Sequence, residues 1–148
     1  VPMIKIEMLR FDEKAQMPKR GSKMAAGYDL YANLEEALII PPHTAIKVGT
    51  GIGMAIPEGY FGAVFARSGL ASKMSLRPAN CVGVIDADYR GEIFIPMHND
   101  SAEPRKIEVG ERIAQLVIMP FLEVEFVEAD SLSETERGLS GFGSTGKL

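Results

Sequence analysis

The sequence is poor in residues that bind metals or form cross-links. Among its 148 residues there is one cysteine, Cys81, and there is no tryptophan. A single cysteine excludes an internal disulfide and a zinc site built from several thiolates. The two histidines, His43 and His98, lie far apart without the spacing of zinc ligands, so we expect surface or packing roles for both. Cys81, beside Val82, is expected to be a small buried apolar residue.

The sequence also lacks long apolar runs and an excess of positive charge. The N-terminal stretch VPMIKIEMLR alternates charged with apolar residues, unlike a signal peptide, and no run approaches the length of a bilayer span. The formal net charge is -4, so no broad basic field exists to follow a nucleic-acid backbone. We expect one compact, soluble, cytoplasmic domain that binds neither nucleic acid nor membrane.

Short β-favouring runs are what the sequence does contain. After the alternating Ile4, Ile6 and Met8 come ALII, TAIKVGTGIGMAI, YFGAVFA, GEIFIPM, RIAQLVIMPF and VEFVEA, many of them separated by Gly, Pro, Asn or Asp. Helical periodicity is limited to SGLASKM, where Ser68 is the expected N-cap, and to a turn at LEEAL. The polar stretch 11–25 is expected to be a surface loop. The pattern predicts an all-β fold, a jelly-roll-like barrel or sandwich with one short helix.

In the segment NCVGVIDADYRGEI, residues 80–93, an apolar run ends abruptly in Asp86, Asp88, Tyr89 and Arg90. The segment is typical of a hairpin with a polar tip, and Asp and Gly are ordinary turn residues. Asp86 directly follows the apolar GVI, so its carboxylate could instead emerge beside a pocket and orient water as a general base. Gly83 would leave one wall of that pocket open to close approach by a backbone.

Charged and polar side chains in three other segments have both structural and functional interpretations. ARSGLASK joins Arg67, a phosphate-binding fork, to the exposed amides of a helix start. A hydrolase triad of Ser68, Asp86 and His98 is disfavoured, because RSGLAS is not a nucleophile elbow. Asp29 and Gln115 interrupt β-favouring sequence and are either structural hydrogen-bonding residues or part of a site.

The C-terminal stretch RGLSGFGSTGKL combines one aromatic ring with many glycines. Tails of this kind are usually poorly ordered and without function. Here Phe142 lies between two glycines and is followed by Ser144 and Thr145, so the tail offers an apolar face beside unhindered amides. It could therefore close over a ligand that carries a ring and phosphates.

Five segments in this order, AGYDLYA, RSGLASK, GVIDADYRGEI, GERIAQL and RGLSGFGSTG, resemble the five motifs of the trimeric deoxyuridine triphosphatase (dUTPase) family. The resemblance runs from Ala26 almost to the C-terminus. It implies a dUTPase-like β-clip domain over residues 1–136 and a mobile arm over residues 137–148 that closes an active site. It also implies a homotrimer with active sites at the subunit interfaces. Ser140, Cys81 and Ala25 depart mildly from the family pattern.

The resemblance implies hydrolysis of dUTP to dUMP and pyrophosphate, which limits uracil in DNA and supplies dUMP for dTMP synthesis. Asp86 matches the general base that orients water for in-line attack on the α-phosphorus. Tyr89 matches the residue under the deoxyribose, and Asn80 matches the side chain that reads uracil. The backbone that lines the uracil pocket corresponds to Gly83, Val84 and Ile85.

On the phosphate side the resemblance implies contacts from two parts of the chain. Arg67, Ser68, Gly69 and Gln115 match phosphate-binding residues of the body. In the arm, Phe142 matches a ring that stacks on uracil, and the phosphate-binding residues correspond to Arg137, Gly143, Ser144 and Thr145. Mg²⁺ is implied as the cofactor, held by substrate phosphates and water without a direct protein ligand, with Asp29 as an indirect contact.

Two other functions remain open at this point. A dCTP deaminase has a similar fold and nucleotide pocket, although GVIDADYRG and GFGSTG favour the triphosphatase. A regulatory protein of the same fold could sense dUTP and bind a protein partner while keeping the site. A structural β-sandwich would leave the five ordered motifs unexplained.

Overall fold

The computed structural model describes residues 3–143, and in this part of the chain twelve β-strands accompany one short helix. The prediction of an all-β fold with one short helix is confirmed. In chain order the elements are β1 Glu7–Arg10, β2 Lys19–Arg20, β3 Tyr28–Tyr31, β4 Leu38–Ile40, β5 Ala45–Gly49, β6 Ile52–Ala55, β7 Tyr60–Phe65, α1 Ser68–Lys73, β8 Leu76–Pro78, β9 Gly83–Ile85, β10 Phe94–Asn99, β11 Arg105–Ile107 and β12 Arg112–Pro120.

The strands form four antiparallel sheets in a sandwich-like arrangement. The largest has the order β2-β3-β12-β7-β9, and a three-stranded sheet has the order β5-β10-β8. Two further pairs are β1 with β6 and β11 with β4. No sheet of residues 3–143 closes into a barrel, so the sandwich alternative of the prediction is the correct one.

Alternating side chains explain why the long strands hold their register. In β10, Ile95, Met97 and Asn99 are buried while the residues between them are more exposed. A shift by one residue would turn this whole set outward, so burial fixes the pairing. In β12, Ile113, Ala114 and Leu116 lie in the core, between the neighbouring strands β3 and β7.

Two buried polar side chains hold neighbouring segments of the chain together. The Asn99 amide nitrogen donates to the backbone oxygens of Ile40 and Glu103, at 3.0 and 2.7 Å, and its side-chain oxygen accepts from Ser101. The Thr50 hydroxyl donates to the oxygen of Ile93 at 2.7 Å. Because each polar group has a partner, burial does not leave an unsatisfied donor or acceptor.

Several local predictions are wrong. The LEEAL segment forms bends before β4 rather than a helical turn. The stretch 11–25 is not wholly a surface loop, because it contains β2 and the buried Ala15. Ile4 is exposed and lies before the first strand, which begins only at Glu7.

The segment after β12 differs most from expectation. VEFVEA was predicted as a strand, but residues 121–143 contain no strand in the described structure, and Leu122, Val124 and Phe126 are exposed. A strand needs a neighbour to accept its hydrogen bonds, and no described strand lies alongside this segment. None of the helices in the described part of the chain is long and apolar enough to cross a membrane.

Candidate active site

A cleft of about 240 Å³ lies beside β9, at the edge of the five-stranded sheet. A larger groove of about 420 Å³, near Met3 and Pro18, is mostly apolar and contains none of the predicted site residues. Six predicted residues line the smaller cleft, namely Asn80, Gly83, Val84, Ile85, Asp86 and Tyr89. These six residues therefore lie along one wall of the same cleft.

The segment that carries these residues is not the predicted hairpin. β8 pairs with β10, whereas β9 pairs with β7 in another sheet. The chain changes sheets through a tight turn in which Val82 N donates to Asn80 O at 2.6 Å and Cys81 has a φ of 63°. Cys81 is exposed there, so the expectation of a buried cysteine was wrong.

β9 presents an unpaired backbone edge. Its residues pair with β7 on one side, and no described strand lies on the other side. Backbone N–H and C=O groups that point away from β7 are therefore available to a ligand. A Cβ on Gly83 would crowd Val64 Cβ at 3.2 Å and would touch Asn80 Nδ2 at 3.4 Å, so the Asn80 amide lies next to this edge.

Asp86 and Tyr89 lie at the end of β9, in a turn closed by a hydrogen bond from Tyr89 N to Asp86 O at 3.1 Å. The Asp86 side chain is exposed at the cleft. The Tyr89 hydroxyl donates to Glu92 O at 2.6 Å. A Cβ on Gly91 would lie 2.6 Å from that hydroxyl, so the glycine leaves space for the ring.

Six lining residues were missed by sequence reasoning, among them Glu92 and Phe94. A carboxylate oxygen of Glu92 accepts from Gly51 N at 3.2 Å, which ties this wall to the β5–β6 turn. Lys47 Nζ lies 4.5 Å from the centre of the Phe94 ring. Nothing in GEIF marks either residue as facing a cleft, since both fit an ordinary strand pattern.

A second cluster forms around Asp29. Its carboxylate accepts from Arg67 Nε at 3.1 Å and lies 3.7 Å from Arg112 Nη1. The Asp29 side chain is only 13% exposed, and two guanidinium groups compensate the cost of burying its charge. Arg67 also donates to the backbone oxygen of Arg112. The interruption of β3 by a carboxylate is thus explained by this ion-pair cluster.

Gln115 lies beside Asp29 because the two are partners in the β12–β3 register. Its amide nitrogen donates to Ala66 O at 2.9 Å. A Cβ on Gly27 would overlap with the Gln115 side-chain oxygen and lie 3.0 Å from its Cδ. The glycine of AGYDLYA is therefore needed for the position of the Gln115 amide.

Helix α1 begins one residue away from its predicted start. The N-cap is Arg67, whose backbone is extended, and there is no side-chain cap hydrogen bond. Ser68 is the first helical residue, so its predicted capping role is wrong. Ser68 and Gly69 are exposed, and no described atom lies within 4 Å of a Cβ built on Gly69.

The single chain does not bring the two clusters together. Asp86 follows Ile85, which pairs with Gly62, whereas Arg67 lies beyond the opposite end of β7. At about 3.3 Å per residue, the chain from Gly62 to Arg67 spans roughly 16 Å. Arg137 and Phe142 approach neither cluster, since Arg137 Nε donates to Ser140 O and the Phe142 ring is exposed. Gly143 is exposed too, and Ser144 and Thr145 lie outside the described residues.

The β-fold and the five motif-like segments together define this chain as a dUTPase-type protein. The dUTPase family model matches residues 13–146, and the chain belongs to that family. A deoxyuridine 5'-triphosphate nucleotidohydrolase from Desulfitobacterium hafniense is 49% identical over 144 residues, covering 97% of this chain and 95% of the relative. One from Corynebacterium glutamicum is 48% identical over 143 residues, covering 96% and 95%.

Solved structures agree with this assignment. The dUTPase of Staphylococcus bacteriophage 80alpha with dUPNHPP has a TM-score of 0.88 and 32% identity, covering 98% of this chain and 100% of that chain. A mutant dUTPase of phage phi11 of S. aureus, described with a structural Mg(II) ion, has a TM-score of 0.76 and 28% identity, covering 86% and 98%.

Proposed function

We propose that this protein is a dUTP diphosphatase that hydrolyses dUTP to dUMP and pyrophosphate, with Mg²⁺ as the cofactor. The observation that carries the proposal is the cleft at the unpaired edge of β9, which has Asp86 at its end and the Asn80 amide beside Gly83. It occurs in a chain of the dUTPase family. In a cell the reaction would limit uracil in DNA and supply dUMP for dTMP synthesis.

The cleft suits a pyrimidine nucleoside. Asn80 and the backbone groups of Gly83, Val84 and Ile85 provide donors and acceptors for the polar edge of uracil. Cytosine has an amino donor at the position where uracil has a carbonyl acceptor, so one fixed set of partners distinguishes the two bases. The Tyr89 ring packs below the deoxyribose and leaves no space for a 2′-hydroxyl.

Asp86 acts as the general base in this proposal. Its carboxylate is exposed at the cleft and can accept a proton from water as the water attacks the α-phosphorus. No covalent bond to the protein is required, because the attacking oxygen comes from water. The negative charge that develops on the phosphate oxygens must then be stabilised by cations and amides.

Arg67, Ser68, Gly69 and Gln115 supply those groups from the body of the protein. Asp29 accepts a hydrogen bond from Arg67 Nε and so orients the guanidinium, whose Nη donors are left for other groups. We propose that residues 137–148 form an arm outside the single domain of residues 1–136. In the arm, Phe142 stacks on uracil, and the β- and γ-phosphates contact Arg137, Gly143, Ser144 and Thr145.

The donor groups fit a Mg²⁺ ion that is held by the substrate. Within residues 3–143 no three His, Cys, Asp or Glu side chains are grouped to bind a metal. The Asp29 carboxylate faces Arg67 and Arg112, so it is suited to an indirect contact at most. Mg²⁺ often binds substrate phosphates and water with few protein ligands, and it neutralises phosphate charge.

A complete site requires more than one copy of the chain. The water that Asp86 activates and the phosphates that Arg67 binds must meet at one phosphorus atom, with reacting atoms about 3 to 3.5 Å apart. The chain from Gly62, the partner of Ile85, to Arg67 spans roughly 16 Å, which argues against both groups of one chain acting on the same phosphorus. We therefore propose a homotrimer in which Asp86 of one subunit and Arg67 of another share a substrate. The exposed apolar side chains after β12 would be covered in such an assembly.

The proposed function is tested by pyrophosphate release from dUTP, dTTP, UTP and dCTP, with Mg²⁺ and then with excess EDTA. We expect rapid hydrolysis of dUTP alone and a loss of about 100-fold or more in EDTA, because the charge on the phosphates is then unbalanced. Release of ammonia from dCTP would instead identify a deaminase. Tight dUTP binding without turnover would contradict the enzymatic proposal and favour a nucleotide sensor.

Replacing Gly27 with alanine is expected to lower kcat/KM for dUTP by about tenfold, because the new Cβ displaces the Gln115 amide. The lost hydrogen bond to Ala66 costs about 1 kcal/mol, which the reduced freedom of the unfolded chain partly offsets. Steady-state kinetics and thermal unfolding measure the two effects. Gly21→Ala is the control, since nothing lies within 4 Å of its Cβ. Equal kinetics for both variants would show that Gln115 has no role in turnover.

A further inference from the structure

Arg77 supports the back of the turn that carries Asn80. It lies in β8, three residues before Asn80, and its Nη1 donates to the backbone oxygens of Pro78 and Ala79 at 3.2 and 3.4 Å. The same atom lies 3.7 Å from Cys81 Sγ. One guanidinium group thus contacts the residues on both sides of Asn80 but does not contact its side chain.

The turn needs such support because its geometry is unusual. Cys81 has a φ of 63°, a left-handed conformation that is unfavourable for residues with a Cβ. Cys81 N donates to Pro78 O, and Ala79 N donates to Pro96 O in β10. Asn80 itself belongs to no strand. Its position relative to β9 therefore depends on what holds the neighbouring backbone.

Asp100 fixes Arg77 from the other side. Its carboxylate accepts from Arg77 Nε at 2.7 Å and from Nη2 at 3.0 Å, a bidentate pair that leaves Nη1 for the turn. The hydrogen bond from Arg77 holds the pKa of Asp100 below its usual value, so this carboxylate stays ionised at neutral pH. His98 lies directly opposite Arg77 in the β8–β10 register, and its Nδ1 is 3.0 Å from Asp100. Arg77 and Asp100 thus form a bidentate pair beside the turn, and His98 Nδ1 lies next to it without making a hydrogen bond.

We propose that Arg77, held by Asp100, is a positioning residue that places Asn80 for base recognition and so sets the selectivity for uracil over cytosine. This inference rests on the proposed function, since it deepens the recognition step at the same cleft. Uracil and cytosine differ in whether an acceptor or a donor occupies one position of the base. Only an amide with a fixed position and orientation can use that difference, because a mobile amide rotates to satisfy either base.

The test is Arg77→Met, which keeps an unbranched side chain and removes every donor. We expect KM for dUTP to rise about tenfold while kcat changes less than about threefold, because the variant loses positioning and keeps the general base. The ratio of kcat/KM for dUTP to that for dCTP should fall by about tenfold. Binding of dUMP and dCMP, measured by calorimetry, should show the same loss of selectivity without requiring turnover.

Lys106→Met is the matched control. Lys106 lies on β11, in a different sheet from β8, and the change removes an exposed ion pair with Glu108 that is 3.1 Å long. Its kinetics and nucleotide selectivity should equal those of the wild type. Arg77→Lys and Asp100→Asn keep part of the pair and are expected to give intermediate losses of about threefold. These variants also test the inference if Arg77→Met does not fold.

A purely structural role would give a different result. A lower unfolding temperature with unchanged KM and unchanged selectivity would overturn the inference, and so would equal losses with dUTP and dCTP. Failure of the proposed function has a separate signature, because the wild type would then release no pyrophosphate from dUTP. Wild-type protein that releases pyrophosphate from dUTP but binds dUMP and dCMP equally well would overturn the inference alone.

Discussion

Replacing Asp86 with asparagine is expected to lower kcat for dUTP hydrolysis by about 10²- to 10⁴-fold, while the affinity for dUTP changes little. Asparagine keeps the shape of the side chain but cannot accept the proton of the attacking water. Because Asp86 is exposed at the end of β9, the exchange should not disturb the core. Pyrophosphate release measures kcat, and calorimetry with a non-hydrolysable imido analogue measures affinity.

Asp88→Asn is the control for this experiment. Asp88 is also an exposed carboxylate of the same turn, two residues further on, but it does not line the cleft. It should retain a rate within about twofold of the wild type, as is usual for exposed residues that do not contact the substrate. Equal losses in kcat and in affinity for Asp86→Asn would contradict its role as a base. So would equal losses of rate in the two variants.

Ending the chain after Glu136 is expected to lower kcat/KM for dUTP by about 100-fold or more and to leave the fold intact. In the proposal, the deleted residues cover the substrate, exclude bulk water and position the phosphates. The unfolding temperature should not change, because the described residues of this segment, 137–143, bury no core side chain. Kinetics and thermal unfolding are compared with those of the full chain.

A chain ending after Thr145 is the matched control, since it keeps every residue to which an arm contact is assigned. It should retain most of the activity. A wild-type rate from the chain ending after Glu136 would contradict a role of residues 137–148 in turnover. Loss of cooperative unfolding in that chain would instead place the boundary of the domain beyond residue 136.

Much of the strand content was predictable because burial imposes a period of two on the sequence. The runs that became β7, β10 and β12 alternate or are continuously apolar, and each has a partner on both sides. Local pattern does not say which strands pair, however. β8 and β9 are separated by only four residues, yet they lie in different sheets. The hairpin predicted over residues 80–93 would pair β9 with β10, but these two strands also lie in different sheets.

The residues of the proposed site came from the resemblance, and local pattern did not indicate their geometry. Asn80, Asp86 and Tyr89, which the resemblance to the dUTPase motifs brings together, line one cleft. Cys81 gave no signal, because cysteine is not a residue expected at positive φ. The sequence likewise does not show how far Arg67, after β7, lies from Asp86, which follows the neighbouring strand β9. The VEFVEA segment shows the same limit, since a strand pattern has no effect without a neighbouring strand.

The length of β7 has a consequence for mixtures of damaged chains. Under the proposed assembly, each substrate is served by Asp86 of one subunit and Arg67 of the next. A chain without Asp86 still contributes Arg67 to its neighbour's site. A chain without Arg67 still contributes Asp86. In any trimer that mixes the two kinds of chain, one of the three interfaces receives both intact groups. Two inactive proteins would therefore recover part of the activity when they assemble together.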